Sequence, residues 1–168
     1  MHQPDHSFDG LIQPLAGDGQ TSDTDVELAF QLQHGRSGDA QIQRLLEDRF
    51  AAELHRLVSG WIELDCGLSV APGMVRGLLI EILRVATAQI EQFRGVQSVR
   101  NWIYRLAVQQ LKKNRRSKFN CGNPQQVAED ATLKQMYQLS RPYRTLLWLR
   151  YGIGVSLPEC VAILDEPL

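Results

Sequence analysis

Residues 93–119 read FRGVQSVRNWIYRLAVQQLKKNRRSKF. Between Arg94 and Lys118 stand eight cations, Arg94, Arg100, Arg105, Lys112, Lys113, Arg115, Arg116 and Lys118, and no acid. Phe93, Trp102, Tyr104 and Phe119 are interleaved with them. Val99, Trp102, Ile103, Leu106 and Leu111 recur at helical intervals, which predicts an amphipathic helix. Arg105, Gln109, Lys112 and Arg116 follow at steps of four, three and four, so they share a second face. Clustered cations suit a phosphate backbone, and flat apolar rings suit unstacked bases. The segment is therefore a candidate single-strand binding helix, with Tyr104 and Arg105 expected on its exposed side. A core helix carrying a solvated basic face is the competing reading of the same pattern.

The flanking sequence reads as more helices. Asp25 is positioned to cap a short helix from Val26 to about His34, and Gly35, Ser37 and Gly38 end it. Asp39 then caps a long helix whose apolar positions run from Ile42 to Trp61. Pro72 suits the first turn of a third helix reaching about Gln92. That helix is so apolar that burial over much of its circumference is expected. Asn120 to Gln126 reads as a turn-rich linker, followed by a last helical block from about Val127. Within that block Ser140 and Pro142 open one helix, and Gly152 and Gly154 close it. Ser156 and Glu159 form a capping box that opens another, through Leu164. No repeat and no convincing strand is present, so the expected fold class is all-α.

Composition narrows the functions. The chain has 168 residues and a net charge of −1, but no Lys or Arg precedes Arg36, whereas Asp5, Asp9, Asp18, Asp23, Asp25 and Glu27 do. Local charge therefore says more about partners than the total does. No apolar run is long enough to span a membrane, and no secretory signal opens the chain. Cys66, Cys121 and Cys160 are far apart and odd in number, which fits a reduced, cytoplasmic setting and neither a zinc knuckle nor a redox pair. His2, His6, His34 and His55 have no metal-ligand spacing, so no metal or cofactor is expected. No nucleophile–base order or phosphate-cradling glycine loop is present, and Glu47–Asp48 and Glu129–Asp130 are adjacent pairs that a helix points apart. A catalytic role is not expected.

Four stretches carry a resemblance. HGRSGDAQIQRLLEDRFAAELHRLV (34–58), EILRVATAQIEQFRG (81–95), SVRNWIYRLAVQQLKKNRR (98–116) and LSRPYRTLLWLRYGIGVSLPECVAIL (139–164) resemble a bacterial RNA polymerase sigma factor of the extracytoplasmic-function type. The resemblance implies an acidic N-terminal segment (1–24), a region 2-like helical domain (25–119), a linker (120–131) and a partial region 4-like domain (132–168). The last would have only the first helix of a helix-turn-helix and no recognition helix. It implies core RNA polymerase and the single-stranded −10 promoter element as partners, and leaves room for an anti-sigma or other regulatory protein. Arg100, Asn101, Trp102, Tyr104, Arg105 and Gln109, with the tail Lys112, Lys113, Arg115 and Arg116, would be the DNA-binding residues. Leu78, Glu81, Ile82 and Arg84 would face the polymerase. Arg76 and Gly77 stand where the family has an acidic pair, which implies different docking contacts. The same features allow an alternative: a degenerate sigma fold used as a protein-interaction or regulatory module that does not recruit polymerase.

Overall fold

The computed structural model describes residues 23–34, 39–66, 72–95, 97–117, 119 and 131–164. The fold is all-α. Helix α1 spans Asp23–His34, α2 Ala40–Cys66, α3 Pro72–Ala88 and α4 Val99–Ser117. A single 3₁₀ turn, Ile90–Gln92, separates α3 from α4. After the expected linker, which falls almost wholly outside the described residues, come α5 (Ala131–Gln138), α6 (Arg141–Leu147) and α7 (Leu157–Leu164). Helix α6 widens into a π-helical turn, Trp148–Gly152.

The capping expectations meet mixed outcomes. Asp39 does cap α2, accepting a hydrogen bond from the Gln41 N–H at 2.8 Å. Ser156 and Glu159 close one arm of the box: Glu159 accepts from the Ser156 N–H at 3.0 Å and from its hydroxyl at 2.5 Å. Ser140 stands at the N-cap of α6 but makes no side-chain capping bond. Helix α1 starts at Asp23, so Asp25 lies inside its first turn rather than capping it. The π turn ends with the Ile153 N–H on the Trp148 carbonyl (3.0 Å) and the Val155 N–H on the Leu149 carbonyl (2.9 Å). The reversal between them passes through Gly154 at φ 82°, a backbone state that costs glycine little.

Helix α2 is the spine, about 40 Å long at 1.5 Å per residue. It packs against α3, α4 and α6, while α7 lies on α4. One continuous apolar core results, running from Leu32 and Phe50 through Ile82 and Ile103 to Leu149 and Ile163. The C-terminal helices therefore share the core of the preceding ones instead of standing apart. Burial of α3 is one-sided: Val75, Leu78, Ile82 and Leu83 face inward, but Met74 and Ile80 are exposed, the latter by 53 %. The segment closed in on nearly all sides is the first half of α4. From Asn101 to Val108 only Arg105 escapes full burial.

A tryptophan slot fixes the C-terminal helices to the spine. A Cβ at Gly60 or at Gly152 would collide with the Trp148 ring, so two glycines make room for one indole. Its Nε1 donates to the Leu57 carbonyl at 3.2 Å. The last turn of α2 leaves carbonyls without helical partners. Tyr137 Oη donates to that of Glu63 (2.9 Å) and Arg144 to that of Leu64 (3.1 Å), so α5 and α6 complete the end of α2.

Candidate nucleic-acid interface

Helix α4 divides into two halves with different surroundings. In the first half Arg100, Asn101 and Tyr104 bond to acids of neighbouring helices. Arg100 Nε donates to Glu53 of α2 at 3.1 Å and to the Tyr104 hydroxyl at 3.2 Å, and the Tyr104 hydroxyl donates to the same Glu53 oxygen at 2.5 Å. Burial first, and then the bond to Glu53, push the Tyr104 phenol well above its ordinary pKa. Asn101 donates to Glu159 of α7 at 2.9 Å. Burial by itself raises the Glu159 carboxyl, but the bonds from Ser156 and Asn101 outweigh it, and the net direction is down. Trp102 is buried against Phe93, ring centroids 5.3 Å apart.

One expectation is corrected here: Tyr104 is fully buried rather than exposed. Trp102, only 6 % exposed, takes a core position. The reason is register: residues three and four apart stack on one helix side. Asn101, Tyr104 and Val108 therefore form a second inward stripe beside the one that carries Trp102. In this arrangement neither ring offers a face to a base.

The second half has one open side. Gln109, Lys112 and Lys113 are exposed, and Arg105 is half-buried at the near end of the same ridge. Arg116 continues the ridge along the α4 backbone, but its side chain lies outside the described residues. Arg115 turns inward, its Nε 2.6 Å from Asp65 Oδ2 as an ion pair rather than an aligned hydrogen bond. Asn114 is also turned inward and donates to Glu81 of α3 at 3.3 Å.

Asp65, only 5 % exposed, is the hub of a charge cluster that the sequence reading missed. Besides Arg115 it faces Arg141 at 3.6 Å and Arg144 at 3.8 Å, both from α6. Burial lowers the pKa of Arg144, Asp65 opposes this, and the neighbouring Arg141 and Arg115 add to the lowering. Three guanidiniums thus share one carboxylate. A signal for this was present: Asp65 continues the apolar stripe Val58–Trp61, and an acid at a core position predicts a partner. Which cation it meets, 50 or more residues away, is not visible locally.

The expected polymerase-facing residues also separate. Leu78 and Ile82 are core residues, at 3 % and 0 % exposure, and are corrected as docking contacts. Glu81 is half-buried against α4, while Arg84 is exposed. Beside Arg84 the open face of α3 presents Met74, Arg76, Gly77 and Ile80.

Among the described residues no group of His, Cys, Asp and Glu is placed to hold a metal ion, and no helix is long and apolar enough to cross a membrane. Cys160 is buried, and burial pushes its thiol up to about 11, so it is a poor nucleophile at neutral pH. No protein-family model matches the chain, and no curated protein matches it. What the site offers chemically is a short row of cations and one amide on the outside of a firmly held helix. That suits the backbone of a nucleic acid better than base stacking.

Proposed function

We propose that this chain is a sigma-like transcription factor that holds single-stranded promoter DNA by its backbone along the outer ridge of α4. The ridge is Arg105, Gln109, Lys112, Lys113 and Arg116. The observation that carries the reading is the outward orientation of Gln109, Lys112 and Lys113 on a helix that itself contains no acid. The resemblance of residues 34–58, 81–95, 98–116 and 139–164 to sigma factors of the extracytoplasmic-function type supports it. In this proposal core RNA polymerase docks on the open face of α3, through Arg84 and its exposed neighbours, and the protein works in the cytoplasm. An anti-sigma or other regulatory protein is a further proposed partner.

A second reading has its own support. Burial of Trp102 and Tyr104 removes the rings that strand opening would use, which favours an interaction module that does not recruit polymerase. One experiment separates the two. Core polymerase is passed over the immobilised chain and over an Arg76→Glu, Gly77→Asp variant. Both positions are exposed and a Cβ at Gly77 meets nothing, so the variant should fold. Retention of polymerase by the native chain supports the transcription factor. Retention by neither, or by the variant alone, supports the interaction module.

A further inference from the structure

Arg115 lies between two possible anions. From the exposed half of α4 it reaches inward to Asp65, yet 21 % of its side chain is still open to solvent. Lys112, one turn before it, is on the outer ridge. Arg115 thus stands one turn from the ridge where a phosphate would sit, with part of its side chain open to solvent. What decides the competition is how strongly Asp65 pulls. Its charge is already shared with Arg141 and Arg144 from α6. Each added cation near a carboxylate also repels the cations already there, so the two α6 arginines weaken the grip on Arg115.

We infer that Arg141 and Arg144 act as positioning residues that loosen Arg115 from Asp65, so that docking of α5–α7 and binding of a single-stranded nucleic acid backbone reinforce each other. This rests on the proposed nucleic-acid reading and adds to it a regulated cation. The sign follows from counting charge. With α6 docked, three cations face one acid, and Arg115 is the one of them that belongs to the ridge-bearing helix. With α6 displaced, Arg115 has Asp65 to itself and turns fully inward. By linkage, a bound strand that draws Arg115 outward leaves Asp65 to Arg141 and Arg144 and so tightens the C-terminal helices.

Arg141 is the position to test, because its side chain is 58 % exposed and its loss should leave the fold intact, checked by thermal melting. The probe is a fluorescein-labelled oligothymidine strand, titrated into the full chain at several salt concentrations. Arg141→Ala is expected to weaken binding about three- to fivefold, a size suited to a part-exposed charge. Arg115→Ala should reduce the slope of log affinity against log salt by about 0.7, one phosphate contact on a single strand. In the Arg115→Ala background, Arg141→Ala should have no further effect. If Arg141→Ala weakens binding equally in both backgrounds, Arg141 meets the strand itself and the inference is wrong. If it has no effect in either, the inference is wrong while the nucleic-acid reading stands. If the native chain shows no salt-dependent binding, both fall together.

Discussion

The two halves of α4 both carry cations and no acid, and have opposite fates. Residues 99–108 carry Arg100, Trp102, Tyr104 and Arg105, and all but the two arginines are buried. Residues 109–117 carry Lys112, Lys113, Arg115 and Arg116, and keep an open side at Gln109, Lys112 and Lys113. The difference comes from what lies alongside. The first half is enclosed by α2 and α7, which supply Glu53 and Glu159. The second meets Asp65 and, through Asn114, Glu81 on its inner side. A basic run without acids of its own is thus not a free basic surface. Its acids come from helices far away in sequence, and they decide which cations are left facing outward.

The strongest way to break this comparison is to remove the shared acid. Asp65→Ala leaves Arg115 and Arg144 without their buried partner, and a broken buried ion pair costs about 3–5 kcal/mol. A urea midpoint within error of the native value would show that the cluster does not hold the second half of α4 in place. The next largest effect should come from the tryptophan slot. Gly60→Ala forces a methyl group into the Trp148 ring and should destabilise by about 1–3 kcal/mol, as overpacking does. Placing it in a Trp148→Ala background should recover most of that loss. Additive losses would mean that Gly60 serves the helix backbone and not the indole.

A smaller effect sharpens the contact between the first half and α7. Glu159 has a folded-state pKa below its usual value, so its bonds to Ser156 and Asn101 stabilise the protein above the unfolded carboxyl pKa, about 4.3. That contribution is lost as pH falls from there through the lower folded value. Glu159→Gln should therefore flatten the fall in stability below about pH 4.3. An unchanged acid limb would assign the acid sensitivity to other carboxylates.

Much of the fold was legible locally. The apolar spacing of α2, the cap at Asp39, the SLPE box and the helical character of residues 99–117 all depend on contacts within a turn or two, where sequence is informative. What was not legible depends on distance along the chain. Pairing of Arg100 with Glu53 and of Arg115 with Asp65 joins residues about fifty apart. Trp148 finds its two glycines in α2 and in its own turn. Helix α3 looked the more buried because it is the more apolar. It is α4 that lies at the centre, because its polar stripe finds acids to pair with and α3 has an open face that nothing among the described residues covers. For the candidate site, the shared face of Gln109 and Lys112 followed from helical spacing, whereas the inward turn of Tyr104, Asn101 and Arg115 did not.

The division of labour within α4 is tested most directly by one paired titration. Oligothymidine affinity is measured against salt for Tyr104→Phe and for Lys112→Ala with Lys113→Ala, with the stability of each variant measured alongside. Tyr104→Phe, which strips the hydroxyl from Glu53, should cost about 1–3 kcal/mol of stability and leave the salt slope unchanged. The double lysine variant should change stability by less than about 0.5 kcal/mol. It should reduce the salt slope by about 1.4, two phosphate contacts on a single strand. The reverse pattern, a slope that depends on Tyr104 and not on the lysines, would contradict the account and place the binding face on the inner half of the helix.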